Sequence, residues 1–319
     1  MPYNSIISRT DADALIPVDV ASDIQVDLAD SSWLMGLARK LPNMSRAQTR
    51  LPVMSALATA YFVTGDTSLK QTTEVNWDNT YIDAEEVAAI VAIPEAVLDD
   101  ADYDIWGEVK PALVEAFNIA ITNAVLYGTN IPATWTTNMS ASAGLVAFAT
   151  AAGSVASLAT FTDFYEATEG ETAAGAADGV IALLENDGYQ ANGHIGHVVA
   201  RTLMRNCRAT GGEKLYPDGY NIDGVDAVFP NDGTQDSTEA YLISGDWSKL
   251  VYSVRQDMTF KVLDQAVLQD AAGNITYNLA QQDMVALRAV MRIGFALPNT
   301  INRMNETEAT RSPFAILTA

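Results

Sequence analysis

The densest group of chemically capable side chains is His194-Ile195-Gly196-His197, with Cys207 downstream. A structural zinc site takes four ligands, and closely spaced histidines usually supply theirs from a helix. The glycine and the β-branched neighbour predict a strand edge here, so the histidines read as structural. Only 2 histidines occur in the chain, which leaves little for histidine acid–base chemistry. No serine nucleophile elbow and no Cys–His pairing in a recognisable context is present. The run Asp99-Asp100-Ala101-Asp102-Tyr103-Asp104 has a calcium-like composition. A calcium loop counted from Asp100, however, would need glycine at Ile105 and a closing glutamate at Pro111. Gly170-Glu171-Thr172-Ala173-Ala174-Gly175 lacks the lysine of a phosphate loop and the pattern of a dinucleotide fingerprint, and reads as a linker. These motifs predict no enzyme, no metal site and no cofactor.

The elements around these motifs are clearer than the motifs. Glu86-Val87-Ala88-Ala89-Ile90-Val91-Ala92-Ile93 is short, apolar and β-branched, and reads as a strand stopped by Pro94. The acidic turn of residues 99–104 follows, its carboxylates suited to the positive end of a helix. A proline is tolerated in a first helical turn, so Pro111 predicts the helix start. Leu113, Phe117, Ala120, Ile121, Ala124 and Val125 then share one face, and Gly128 stands where a left-handed cap belongs. At 1.5 Å per residue this helix would be roughly 25 Å long, enough to brace a domain.

Elsewhere, Val20, Ile24 and Leu28 lie four apart on one helical face, and Ser31-Ser32 caps a second short stripe of Trp33, Leu34 and Leu37. Leu51–Met54, Ala60–Thr64 and Val75–Tyr81 read as strands around a polar turn at 65–71, a long hairpin that must lie against something. Its aromatics suggest a partner surface, and Trp77 is the residue expected to touch another subunit; Trp106 is expected in the core. After Gly128 an Ala/Ser/Thr/Gly-rich stretch to Ala159 marks a candidate boundary. Helices are expected at 162–169, 176–185 and 201–208. Strands are expected at 195–200, 225–229, 240–243, 250–254, 258–263 and 285–297. In the last of these Leu287, Ala289, Met291, Ile293 and Phe295 alternate with Arg288, Val290, Arg292 and Gly294. The tail after Asn305 is polar and ends Phe314-Ala315-Ile316-Leu317, with no strand expected there. The order of helices and strands predicts an α+β fold.

The totals narrow the function classes. Hydrophobic residues make up 49% of the 319, enough for a sizeable core. No run reads as a membrane helix and no secretory signal opens the chain. The single cysteine cannot form an internal disulfide, which fits assembly in a reducing cytoplasm. Lys+Arg 18 against Asp+Glu 40 gives a net charge of −22, which repels phosphate backbones and argues against sequence-specific DNA binding.

Four separated stretches carry a resemblance. They are Ala92-Ile93-Pro94-Glu95-Ala96-Val97-Leu98-Asp99-Asp100 running on to Asp104-Ile105-Trp106 and Pro111; Gly188-Tyr189-Gln190-Ala191-Asn192-Gly193; Ile243-Ser244-Gly245-Asp246-Trp247-Ser248-Lys249-Leu250 followed by Val254–Met258; and residues 282–295. Together they resemble the major capsid proteins of tailed bacteriophages, the Hong Kong 97 (HK97-like) fold, over most of residues 17–305. The resemblance implies an N-terminal arm at 1–50 and an extended loop at 51–83 lying over a neighbour. It implies a peripheral domain at 84–131 with a long spine helix, an axial domain at 132–250, return strands at 251–305, and a C-terminal tail at 306–319. Ile24, Leu28, Trp33, Tyr61, Phe62, Lys70, Trp77 and Tyr81 would then lie at subunit interfaces.

The function so implied is a capsid subunit whose hexamers and pentamers enclose double-stranded DNA, held without sequence-specific contacts. The shell would form in the host bacterial cytoplasm and become part of the virion, with a portal, possible decoration proteins and no membrane. Only about sixteen residues precede Pro17, which implies a separate scaffolding protein or a prosegment already removed. Some members cross-link a loop lysine to an asparagine, for which Lys70 and Asn299, Asn302 or Asn305 would be the candidates. The alternative is an encapsulin-type compartment of the same fold, housing a cargo enzyme.

Overall fold

Two long antiparallel strands, Val251–Leu263 and Met284–Ala296, carry one half of the molecule. The computed structural model that shows them describes residues 33–64, 69–100, 105–170, 179–209, 211–270 and 272–319. Leu287, Ala289, Met291, Ile293 and Phe295 are all buried on one face, as a period of two requires. A four-stranded sheet forms in the order Arg39–Lys40, Val251–Leu263, Met284–Ala296, Glu85–Pro94. The strands expected at 250–254 and 258–263 are one strand. Register shifts at Val254/Gln256 and Gln256/Thr259 bend it without ending it, as bulges do.

The long helix runs Ile105–Tyr127, 23 residues, with Pro111 inside it rather than at its start. That is about 35 Å. The proline removes one amide from the ladder, but Trp106 and Val109 pack against the core ahead of it and hold the extra turn. Leu113, Phe117, Ile121, Ala124 and Val125 are buried as their spacing predicts, and Leu126 joins them. Ala120 is exposed instead, its methyl lining a cleft beside Glu85–Ala88. By length and composition this helix is apolar enough to cross a membrane, contrary to the expectation from the sequence; here its apolar face packs on the sheet. Gly128 ends the helix at φ +70, and a Cβ there would sit 2.3 Å from the Ala143 carbonyl oxygen. Asp99 and Asp100, expected in a turn, close a short helix, Glu95–Asp100.

Residues 129–159, expected to be loose, carry regular structure. They fold into helices Ala133–Asn138 and Leu145–Ala152 and a strand, Val155–Ser157. Trp135, Met139, Leu145 and Phe148 are buried there, so a few large side chains anchor the small-residue stretch.

The second sheet has six strands, in the order Val155–Ser157, Phe314–Thr318, Leu242–Gly245, Gly193–Gly196, Val225–Val228, Asn221–Ile222. Helices Phe164–Glu169, Val180–Asn186 and Val198–Asn206 pack on it through Phe164, Val180, Leu184, Ala200 and Met204. The strand expected at 195–200 stops at Gly196. His197 accepts the Val199 amide through Nδ1 at 3.1 Å, and this N-cap turns the β-branched Val198-Val199 into helix.

The polar tail expected after 305 is a correction of another kind. Phe314–Thr318 lies between Leu242–Gly245 and Val155–Ser157, and Phe314, Ala315, Ile316 and Leu317 are completely buried. Polar residues just before it are structural too. The buried Arg311 donates to Asn299 Oδ1 at 3.0 Å and to the carbonyls of Asn299 and Asn305 at 2.9 Å. Asp187 accepts the Ser312 amide at 2.8 Å. A buried guanidinium so satisfied anchors the segment that enters the sheet.

Candidate functional site

The residues that could do chemistry are placed apart. His194 is fully buried in a central strand, not at an edge, with Nδ1 2.8 Å from Ser244 Oγ and Nε2 without a hydrogen-bond partner. Burial pushes its pKa down to about 4, outweighing the Ile222 backbone and the charge of Asp223, which raise it. His197 caps a helix, and Cys207 lies buried just past that helix's other end, where burial raises its thiol. Among the described residues no three His, Cys, Asp or Glu side chains gather as a metal site.

What stands out is a surface. Gln48–Met54 and Trp77–Asp83 form an antiparallel ladder, with Met54 opposite Trp77 and Arg50 opposite Tyr81. Strand alternation divides it. Ile82 is fully buried with Met44, Val251 and Ala296, which fixes the base of the ladder to the four-stranded sheet. The opposite face presents Trp77, 68% exposed, together with Met54 and Tyr81 at 40% each. Residues 55–64 and 69–76 continue beyond the ladder without regular structure, so the strand expected at 60–64 does not form. Among the described residues no strand pairs with it there, and a lone strand is not stable in water. Its ties include the Ser55 amide donating to the Asn76 carbonyl at 2.9 Å, the Tyr61 hydroxyl donating to the Gln71 carbonyl at 3.1 Å, and Arg303 donating to the Ala58 carbonyl. Phe62 is wholly exposed and Leu69 is 89% exposed, next to the exposed Lys70.

Of the other residues singled out in the sequence, Trp33 is half-buried and donates Nε1 to Asp232 at 2.9 Å. Its helix, Trp33–Leu37, packs Leu34 into this subunit's own core. Ile24 and Leu28 lie outside the described residues. Asn299, Asn302 and Asn305 all donate their side-chain amides within the chain, to Glu308, Asp187 and Asp187 respectively. The sequence reading missed Met54, which ends an apolar run taken only as strand, and Leu69, a single apolar residue among polar ones. It also missed the hairpin Val267–Gln269/Ile275–Asn278, which exposes Val267, Ile275 and Tyr277; alternation there spans too few residues to register.

Exposed aromatics and aliphatics gathered on one face of a ladder and on the loop it carries mark an interaction surface. Three kinds of similarity bear on it. The model of the Phage capsid family matches residues 12–300. The chain is 24% identical over 295 residues to the Major capsid protein of Staphylococcus phage 80alpha, covering 91% of this chain and 84% of that one. Its structure is similar to a chain from Microbacterium phage Oxtober96, with a TM-score of 0.82, 31% identity and coverage of 98% and 99%. A chain from Mycobacterium phage Adephagia gives 0.81, 28% identity and coverage of 98% of each.

Proposed function

The chain belongs to the phage capsid family, and from that premise we propose that its copies close into an icosahedral shell through the exposed ladder face and loop. It is a major capsid protein of HK97-like fold, a structural component of a tailed-phage virion and not an enzyme. The observation that carries the assembly reading is the exposure of Trp77, Met54 and Tyr81 on one face of the ladder and of Phe62 and Leu69 on the loop beyond it, large apolar side chains left in water by a chain that buries Trp135 and Trp247. Residues 51–83 then lie over a neighbouring copy, and a closed lattice repeats the modest gain of each contact.

In this reading residues 1–50 form the arm. Residues 84–131 and 251–305 form the peripheral domain. Residues 132–250, completed by the strand Phe314–Thr318, form the axial domain at capsomer centres. Hexamers and pentamers assemble in the host cytoplasm with a separate scaffolding protein and a portal, and decoration proteins could add to the outside. Double-stranded DNA is held without sequence readout, as the net charge of −22 disfavours phosphate binding. The relatives named above come from phages, which favours this reading over the encapsulin alternative.

Negative-stain electron microscopy of the purified protein, alone and with a candidate scaffolding protein, tests it. Closed polyhedra or capsomer rings are expected. Uniform monomers under every condition would refute it.

A further inference from the structure

The four-stranded sheet has a second face, turned away from the long helix. Part of it is covered by the base of the ladder, where Ile82 packs on Gly294. Beyond that the face is open except at the buried Val290, and its rows follow from the register: Gln256–Arg292–Glu86, Thr259–Val290–Ala88, and Lys261–Arg288–Ile90. Arg292 pairs with Glu86. Lys261 and Arg288 are exposed, stand directly opposite each other, and form no ion pair among the described residues. Like charges facing each other across a ladder repel. Among the described residues no carboxylate forms an ion pair with either of them, although Asp257 and Asp264 lie on or just after the same strand. Beside the pair, Ile90 is 47% exposed. The open face is thus basic next to apolar.

One segment of the chain has the complementary pattern. Residues 1–32 contain Asp11, Asp13, Asp19, Asp23, Asp27 and Asp30, with Arg9 as the one basic residue. Asp19, Asp23 and Asp27 recur every four residues, each immediately before Val20, Ile24 and Leu28. At helical spacing this sets an acidic stripe beside an apolar one. The described chain begins at Trp33, whose helix packs on the long-helix side of the sheet, away from the basic face. The preceding residues could span roughly 100 Å at full extension, enough to reach another copy.

We propose that residues 19–30 of a neighbouring copy dock on this face, with Asp23 and Asp27 neutralising Lys261 and Arg288 while Ile24 and Leu28 cover Ile90. The proposal rests on the shell reading above and names the surface that receives the arm. Charge pairs of this kind set register and partner choice more than raw affinity.

Two variants test it in assembled particles. In shells carrying Asp27→Cys with Arg288→Cys, mild oxidation should link chains into dimers and longer ladders on a non-reducing gel, while either cysteine alone should not. In the second, Lys261→Glu with Arg288→Glu should lower shell yield about tenfold, and adding Asp23→Lys with Asp27→Arg should restore it, as expected for a direct charge pair. Disulfides formed only within one chain, or intact shells with no cross-link, would overturn the proposal. So would reversal variants that assemble normally and lose only packaged DNA, because the face would then serve phosphate. If the unsubstituted protein forms no shells, the shell reading fails first and this proposal falls with it.

Discussion

At the scale of single residues, two tryptophans separate folding from assembly. Trp247 is completely buried, donates Nε1 to the Gly193 carbonyl at 2.9 Å and meets the Phe314 ring edge-on. Trp247→Ala should cost about 3–5 kcal/mol in an unfolding titration. Trp77 is 68% exposed, and Trp77→Ala should leave monomer stability within about 0.5 kcal/mol of the parent while reducing shell formation. Normal assembly by Trp77→Ala would remove it from the interface. His194 gives a pH dependence with a definite sign. Its folded pKa of about 4 lies below the ordinary 6.5, so the unfolded chain takes up the proton first as pH falls. Stability contributed by the neutral ring is therefore whole above pH 6.5 and is lost progressively from 6.5 to 4, by on the order of 3 kcal/mol. His194→Gln should flatten denaturant midpoints measured across that window, whatever its effect at neutral pH. An unchanged slope would show that the ring does not titrate as its burial demands. Glu166 and the exposed Asp236 and Asp270 are held below the ordinary carboxylate range by local hydrogen bonds, so the stability they contribute is lost lower on the pH scale.

At the scale of elements, the most consequential correction is the C-terminal strand. Phe314–Thr318 is interior to the six-stranded sheet, so ending the chain after Ser312 would open the sheet between Val155–Ser157 and Leu242–Gly245. Such a truncation should yield insoluble or protease-sensitive protein; a soluble chain with an unchanged melting temperature would contradict the topology. The sequence concealed this strand because its five residues are too few for alternation to show, and the polar Thr307, Thr310, Arg311 and Ser312 precede it. The long elements were legible for the opposite reason. Ile105–Tyr127 and Met284–Ala296 repeat their period many times, so one mismatch such as Ala120 does not blur it. Their ends were less legible. The turn preceding Pro111 is held by packing from Trp106 and Val109, and the helix after His197 by a cap that outweighs β-branched propensity. The exposed loop was half legible: its aromatics could be read from the sequence, but the short ladder behind them follows from tertiary contacts of Ile82.

At the scale of the whole molecule, the distribution of surface is the argument. The chain buries Trp135, Trp247, Phe117, Phe164, Phe295 and Phe314 completely, yet leaves Phe62, Leu69 and Trp77 in water. A net charge of −22 keeps separate copies soluble and raises the cost of bringing them together. Assembly therefore depends on apolar contacts repeated around a closed lattice and on local charge pairs that offset the repulsion. The family signal was legible as motifs scattered along the chain, and the residues that would meet a neighbour were legible only where they were aromatic. The measurement that tests the central claim most directly is a cryo-electron microscopy map of the purified particles. The account predicts a closed icosahedral shell in which Phe62 and Trp77 of each copy are buried against another. Particles whose loops stand free in solvent, or a protein that remains a monomer with these side chains exposed, would contradict it.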